Sequence, residues 1–67
     1  MSYPKLRGLI REKFRTQGAF ARAMKMHQTT LSKKLAGIVD WTRQEIETAC
    51  RLLDIPADQI HVYFFTL

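Results

Sequence analysis

Several features of secreted, membrane and metal-binding proteins are missing from this chain of 67 residues. It has one cysteine, Cys50, so no internal disulfide can form, and no Cys/His pair has the spacing of a zinc site. No segment reaches the roughly 20 apolar residues of a membrane span, and the N-terminus has no apolar run typical of a signal peptide. The sequence therefore predicts one cytoplasmic domain, residues 1–67, without a metal site and without a membrane span.

Catalytic residue sets are also missing. The two histidines, His27 and His61, are not accompanied by a plausible Ser/His/Asp or Cys/His arrangement. A chain of this size buries only about 60% of the surface that its unfolded form exposes, which leaves little room for a cleft beside the core. We therefore expect no enzymatic activity, no cofactor and no small-molecule substrate.

Acidic residues are scarce in the first half of the chain. Residues 1–34 contain nine lysines and arginines but only one acidic residue, a net charge of +8, whereas residues 35–67 have a net charge of −3. A small domain polarised in this way favours a polyanionic partner, either nucleic acid or an anionic membrane surface. The alternative is a basic surface that is merely solvated.

Apolar periodicity predicts an all-α fold, a compact bundle of four to five short helices. The predicted helices are PKLRGLIREKFR, TQGAFARAM, QTTLSKKLAG and TRQEIETACRLLD, followed by a helical turn from Pro56 and a short extended C-terminal tail over residues 61–67. Thr16 is the expected N-cap of the second helix, and Thr42 with Glu45 forms a capping box at the fourth. Gly37 is expected to end the third helix in the left-handed conformation.

The second and third predicted helices form a helix-turn-helix pattern at about residues 17–36. The first of the two is apolar and rich in small residues, and the second is anchored by Leu31 and Leu35 but otherwise polar. In a helix-turn-helix the second helix enters the major groove of DNA, and its polar side chains meet the base edges. The residues predicted to contact bases are Gln28, Thr29, Ser32 and Lys33.

The stretch TQGAFARAMKMHQTTLSKKLAG, followed by WTRQEIETACRLLDI, resembles the lambda-repressor-like helix-turn-helix family, especially small bacteriophage repressors and Cro-type regulators. The resemblance implies a sequence-specific transcriptional regulator that reads an operator in double-stranded DNA with helix 28–36. Two positions depart from the family pattern, because Lys25 stands where the turn usually has Gly and His27 stands where a Ser or Thr cap is common. The resemblance implies phosphate contacts by Gln17, Lys34 and Arg43, and Lys25 is a further predicted phosphate contact.

The apolar C-terminal segment HVYFFTL has two interpretations. It covers the open end of its own core, or it pairs with its copy across a two-fold axis. A small regulator that reads a palindromic operator needs its dimer contacts within this domain, which favours a homodimer on DNA. The residues predicted for the dimer interface are Val62, Tyr63, Phe64 and Phe65.

A protein-interaction module is the alternative function, for example an anti-repressor or antitoxin-like adaptor that uses the aromatic C-terminal tail. Binding that survives high salt and the loss of Lys33 and Lys34, but not the loss of Phe64 and Phe65, would favour this alternative. A membrane-surface role for the first helix is a third hypothesis, and it requires residues 1–16 alone to bind anionic vesicles.

Overall fold

The computed structural model describes residues 3–65, and its regular structure is entirely helical. The helices are α1 (Pro4–Phe14), α2 (Gln17–Met24), α3 (Gln28–Leu35), α4 (Arg43–Leu53) and α5 (Ile60–Phe64), with a 3₁₀ turn, Ala57–Gln59, before α5. No strand occurs between residues 3 and 65, so the predicted all-α bundle is confirmed. No helix in this range is long and apolar enough to cross a membrane.

Side chains that satisfy free backbone groups determine where α2 and α4 begin. The hydroxyl oxygen of Thr16 accepts a hydrogen bond from the backbone N–H of Ala19 at 3.1 Å. At α4 the Thr42 hydroxyl accepts from the backbone N–H of Glu45 at 3.1 Å, and the Glu45 carboxylate accepts from the backbone N–H of Thr42 at 2.9 Å. Both predicted caps are confirmed, because each depends only on residues within one helical turn.

Three helices end in the same way, and only one of these ends contains a glycine. The left-handed residues are Lys25 after α2 (φ 59°), Gly37 after α3 (φ 81°) and Asp54 after α4 (φ 56°). In each case the N–H of the next residue donates to the carbonyl oxygen five residues before it, at 2.9–3.0 Å. This pairing is that of a Schellman motif. The predicted role of Gly37 is confirmed, whereas Lys25 and Asp54 adopt this conformation despite having a Cβ atom.

The left-handed conformation of Lys25 leads to a stability prediction. We expect Lys25→Gly to raise the free energy of unfolding by about 0.5–1 kcal/mol, because this conformation costs an ordinary residue about 1–2 kcal/mol and the added freedom of glycine when unfolded offsets part of that gain. Urea unfolding monitored by circular dichroism would measure the change. Lys25→Ala is the control, since it removes the charge but keeps the Cβ atom. Equal unfolding free energies for the two variants would contradict the prediction.

The core is built from one face of each of the first four helices, together with Tyr3, Ile55 and Phe64. The largest fully buried side chains are Leu6, Ile10, Phe20, Leu31, Leu35 and Leu53. The rings of Phe14 and Phe20 pack with their centroids 5.1 Å apart, and this contact joins α1 to α2. Leu31 and Leu35 fix α3 through a narrow apolar stripe, so most of the polar surface of α3 faces outward.

The prediction of an extended C-terminal tail is wrong for the part that the structure describes. His61–Phe64 belongs to α5, and residues 66–67 lie outside the described range. Ile60 and Phe64 stand four residues apart, so a helix places both on one face, and both pack against the core. The ring of Phe64 meets the ring of Trp41 edge to face, with centroids 5.2 Å apart. Burial of these apolar side chains therefore favours a helical turn here.

Candidate functional site

The outer surface of α3 carries the four residues that the sequence predicts to contact bases. Gln28, Thr29, Ser32 and Lys33 are all exposed, and they lie within the first six residues of the helix. A turn of three residues separates α3 from α2. The structure thus brings these side chains to one polar surface, and what they contact there stays a prediction.

Side chains from α2 and α3 already contact each other across this surface. Ser32 donates a hydrogen bond from its hydroxyl to the amide oxygen of Gln17, at 3.3 Å. The side chain of Gln28 lies over Gly18, where an added Cβ atom would be 3.3 Å from the Gln28 amide oxygen. An added side chain at position 18 would require the Gln28 side chain to move by a few tenths of an ångström. Gln17, predicted for phosphate, is therefore half-buried and held by α3.

The cations predicted for phosphate contact are in three different environments. Lys25 is exposed at the turn between α2 and α3. Arg43 is exposed at the start of α4, where its Nε lies 3.3 Å from a carboxylate oxygen of Glu47. Lys34 is buried, with 4% of its surface exposed. The prediction that Lys34 reaches a phosphate does not fit this position.

Lys34 connects α3, the following loop and α4 from inside the protein. Its Nζ lies 2.9 Å from Oε1 of Glu45 and donates to the backbone carbonyl oxygen of Asp40, also at 2.9 Å. The same Nζ lies 6.0 Å from the centre of the Trp41 ring. Since a buried ammonium group is stable only when it is paired and hydrogen-bonded, Lys34 has a structural role that its neighbour Lys33 does not share.

The contacts of Glu45 predict how stability depends on pH. Burial by itself would raise the pKa of Glu45, but hydrogen bonds from Thr42 and Lys34 and the charge of Lys34 outweigh it, so the pKa is lowered from 4.5. A carboxyl group whose pKa is lower in the folded protein than in the unfolded protein stabilises the fold when the pH is above the unfolded-state pKa. This stability is lost as the pH falls through the folded-state pKa. We therefore expect the free energy of unfolding to fall with pH below about 4.5.

Acid titration of the unfolding free energy would test this, with Glu45→Gln as the comparison. The amide cannot titrate, so the variant should be less stable at neutral pH but should lose less stability on acidification. If the free energy of unfolding of the wild type did not change between neutral and acidic pH, the expected coupling of Glu45 to Lys34 would be contradicted.

The four residues predicted for a dimer interface differ widely in exposure. Val62 and Tyr63 are half-buried, Phe64 is 3% exposed and Phe65 is 69% exposed. Phe64 packs inside its own subunit against Trp41, so it is not available to a second copy, and this part of the prediction is wrong. Of the two adjacent phenylalanines, only Phe65 can contribute its ring to a partner.

Phe65 lies at an aromatic groove that the sequence did not predict. The groove has a volume of about 380 Å³, and its lining residues are Tyr3, Asp40, Trp41, Ile46, Phe64 and Phe65. They come from both ends of the described chain, from the segment between α3 and α4, and from α4. Because no local pattern links these positions, only the tertiary structure brings them together. The segment between α3 and α4 also exposes two apolar side chains, Ile38 at 74% and Val39 at 38%.

The family assignment comes from comparison with known proteins. The model of a family described as proteins of unknown function, DUF739, matches residues 1–67. The chain belongs to the DUF739 family. The predicted membership of the lambda-repressor-like family is therefore wrong. Most of the residues that suggested it, such as Leu31, Gly37 and Glu45, are core or capping residues that other bundles of short helices also require.

This DUF739 protein is also similar to a solved structure. That structure is the solution structure of the modulator of repression of the temperate bacteriophage TP901-1 from Lactococcus lactis. The two chains are 41% identical with a TM-score of 0.85, and the match covers 96% of this chain and 86% of the other. No curated protein matches the chain. Within residues 3–65 of the DUF739 protein, no group of three His, Cys, Asp or Glu side chains could hold a metal ion.

Proposed function

We propose that this chain is a bacteriophage regulatory protein that modulates repression by binding another protein, the phage repressor, without catalysis. The observation that carries the proposal is the 41% identity, over 96% of the chain, to a modulator of repression. At that identity and a TM-score of 0.85, the two proteins share a fold.

The distribution of apolar surface supports a protein partner. Ile38, Val39 and Phe65 are the large apolar side chains that residues 3–65 expose. Phe65 lies beside an aromatic groove whose charged lining residue is the acidic Asp40. An aromatic side chain at a groove is typical of the few residues that dominate binding energy at protein interfaces. A phosphate backbone, in contrast, would be repelled by a carboxylate at this position.

Sequence-specific binding to double-stranded DNA, as a homodimer, is the second candidate. The exposed polar residues of α3, namely Gln28, Thr29, Ser32 and Lys33, favour it. The predicted cations support it less, since Lys34 is buried against Glu45 and Arg43 lies beside Glu47. In such a dimer Val62, Tyr63 and Phe65 would supply the contacts, because Phe64 is committed to the core.

Calorimetric titration with the repressor from the phage genome that encodes this chain would test the first candidate. We expect a complex that persists when salt is raised to several times about 150 mM, where exposed charges are strongly screened. Phe65→Ala should weaken the complex by at least about tenfold, as for an interfacial aromatic anchor. Lys33→Ala is the matched control on the α3 surface. Absence of any complex with the repressor would refute the proposed function.

Selection of bound duplexes from a random DNA pool, with no repressor present, would test the second candidate. A DNA motif that the wild type selects, and for which Gln28→Ala and Lys33→Ala lose preference, would support direct reading of the bases by α3. Binding to all duplexes alike, with a steep loss on adding salt, would show only general electrostatic attraction.

A further inference from the structure

A polar pocket lies where the end of α1 meets the start of α2, on a different set of residues from the aromatic groove. Its volume is about 240 Å³, and its polar lining residues are Arg7, Arg11, Arg15, Thr16 and Gln17. None of the lining residues that residues 3–65 contribute is acidic. Three arginines thus line one cavity, although like charges at this spacing repel each other along a helix.

The two exposed arginines have no counterion in the part of the chain that the structure describes. Arg11 and Arg15 are both exposed, and neither forms an ion pair within residues 3–65. Arg7 is held in place, since its Nη2 donates to the backbone carbonyl oxygen of Leu35 at 2.9 Å. The chain reverses direction at Arg15, where φ is 73° and the N–H of Thr16 donates to the carbonyl oxygen of Phe14 at 2.8 Å. This tight turn places Arg15 beside the first turn of α2.

The other polar groups of the pocket can all donate hydrogen bonds. The Thr16 hydroxyl oxygen already accepts from the backbone N–H of Ala19, and the Gln17 amide oxygen already accepts from Ser32. The Thr16 O–H and the Gln17 NH₂ therefore remain as donors without an acceptor in the described part of the chain. The same is true of the backbone N–H groups of Gln17 and Gly18. The first turn of α2 has no acidic residue to offset the positive end of the helix dipole.

We propose that this pocket is an oxyanion site that binds a phosphate group. Several cationic and neutral donors converge on one cavity, and phosphate offers several acceptor oxygens and a charge that arginine matches in fork geometry. The phosphate is either a free or small-molecule phosphate or one in a nucleic acid backbone, because both present the same oxygens. The site goes beyond the proposed repressor binding, since it shares no residue with the aromatic groove and does not require the repressor. For a nucleic acid phosphate, it rests on the second candidate function, which already predicts Gln17 as a phosphate contact.

Nuclear magnetic resonance titration of the full chain with inorganic phosphate tests the site. We expect the backbone amide signals of the first turn of α2 to shift as phosphate is added, until the site is saturated. Sodium chloride at equal ionic strength should leave these signals unchanged. The double variant Arg11→Gln, Arg15→Gln should weaken phosphate binding by at least about tenfold, as for the loss of two charge-assisted hydrogen bonds. The control Lys5→Gln, Arg51→Gln removes the same charge from exposed positions elsewhere and should bind phosphate as the wild type does.

Each outcome of the titration is decisive. Equal weakening by the two double variants would overturn the proposal in favour of general electrostatic attraction, as would the absence of a phosphate-specific shift. If the site is present, binding of a short DNA duplex to the same variants identifies the source of the phosphate. Duplex binding lost only in Arg11→Gln, Arg15→Gln indicates a nucleic acid phosphate, whereas unchanged duplex binding indicates a free or small-molecule phosphate. Repressor binding by the variants is a separate measurement, so the proposed function is tested independently.

Discussion

Phe64→Ala is expected to lower the free energy of unfolding by about 3–5 kcal/mol, the cost of truncating a buried phenylalanine. The ring is 3% exposed and packs edge to face on Trp41. Its removal deletes this aromatic contact and leaves a cavity beside the groove. In a domain of 67 residues this is a large fraction of the total stability, so we expect the variant to be partly unfolded at physiological temperature.

Phe65→Ala is the matched control for this experiment. Phe65 is 69% exposed, and a surface truncation of this kind changes stability by only about 0.5 kcal/mol. We expect Phe65→Ala to keep its unfolding transition but to weaken repressor binding by at least about tenfold. Chemical denaturation and the repressor titration, made on the same preparations, separate the two effects. Equal destabilisation by the two substitutions would contradict the different positions of the two rings.

Lys34→Met should destabilise the protein by about 2–3 kcal/mol. Removing one member of a buried ion pair costs about 3–5 kcal/mol, and the partial exposure of the Glu45 side chain, 27%, places this pair below that range. Methionine keeps most of the apolar stem of lysine, so the loss reports mainly on the ammonium group. Without that group, the carbonyl oxygen of Asp40 and the carboxylate of Glu45 each lose a partner.

Lys33→Met removes the same charge from the neighbouring, exposed position and should change the free energy of unfolding by no more than about 0.5 kcal/mol. Urea unfolding of Lys33→Met, of Lys34→Met and of the variant with both substitutions measures the difference in the free energy of unfolding. If Lys33→Met were as destabilising as Lys34→Met, the buried contacts of Lys34 would not explain its role. The comparison also matters for any DNA assay, because a loss of binding in a Lys34 variant would reflect unfolding.

Features that depend on nearby residues were predictable from the sequence. The Thr16 cap, the capping box of Thr42 with Glu45, and the left-handed Gly37 each involve residues within about one turn of each other. The apolar periodicity of each helix is local in the same sense, and it predicted the all-α bundle. The family resemblance failed because these local features are common to many bundles of short helices.

Features that depend on distant residues were decided by the tertiary structure alone. Lys33 and Lys34 are chemically identical neighbours, and so are Phe64 and Phe65, yet one member of each pair is buried. Burial depends on which part of the chain packs opposite, and that part lies in another helix or loop.

The two candidate binding surfaces have the same origin. The polar pocket forms where a tight turn at Arg15 brings α2 against α1, and the aromatic groove forms where Tyr3, Trp41 and Phe64 meet. The sequence by itself determined the first four helices, the caps at Thr16 and Thr42, and the polarised charge, because these depend on residue type and local spacing. Only the packing of the helices decided which charges and rings remain on the surface to bind a partner, because that choice depends on contacts between residues far apart in the chain.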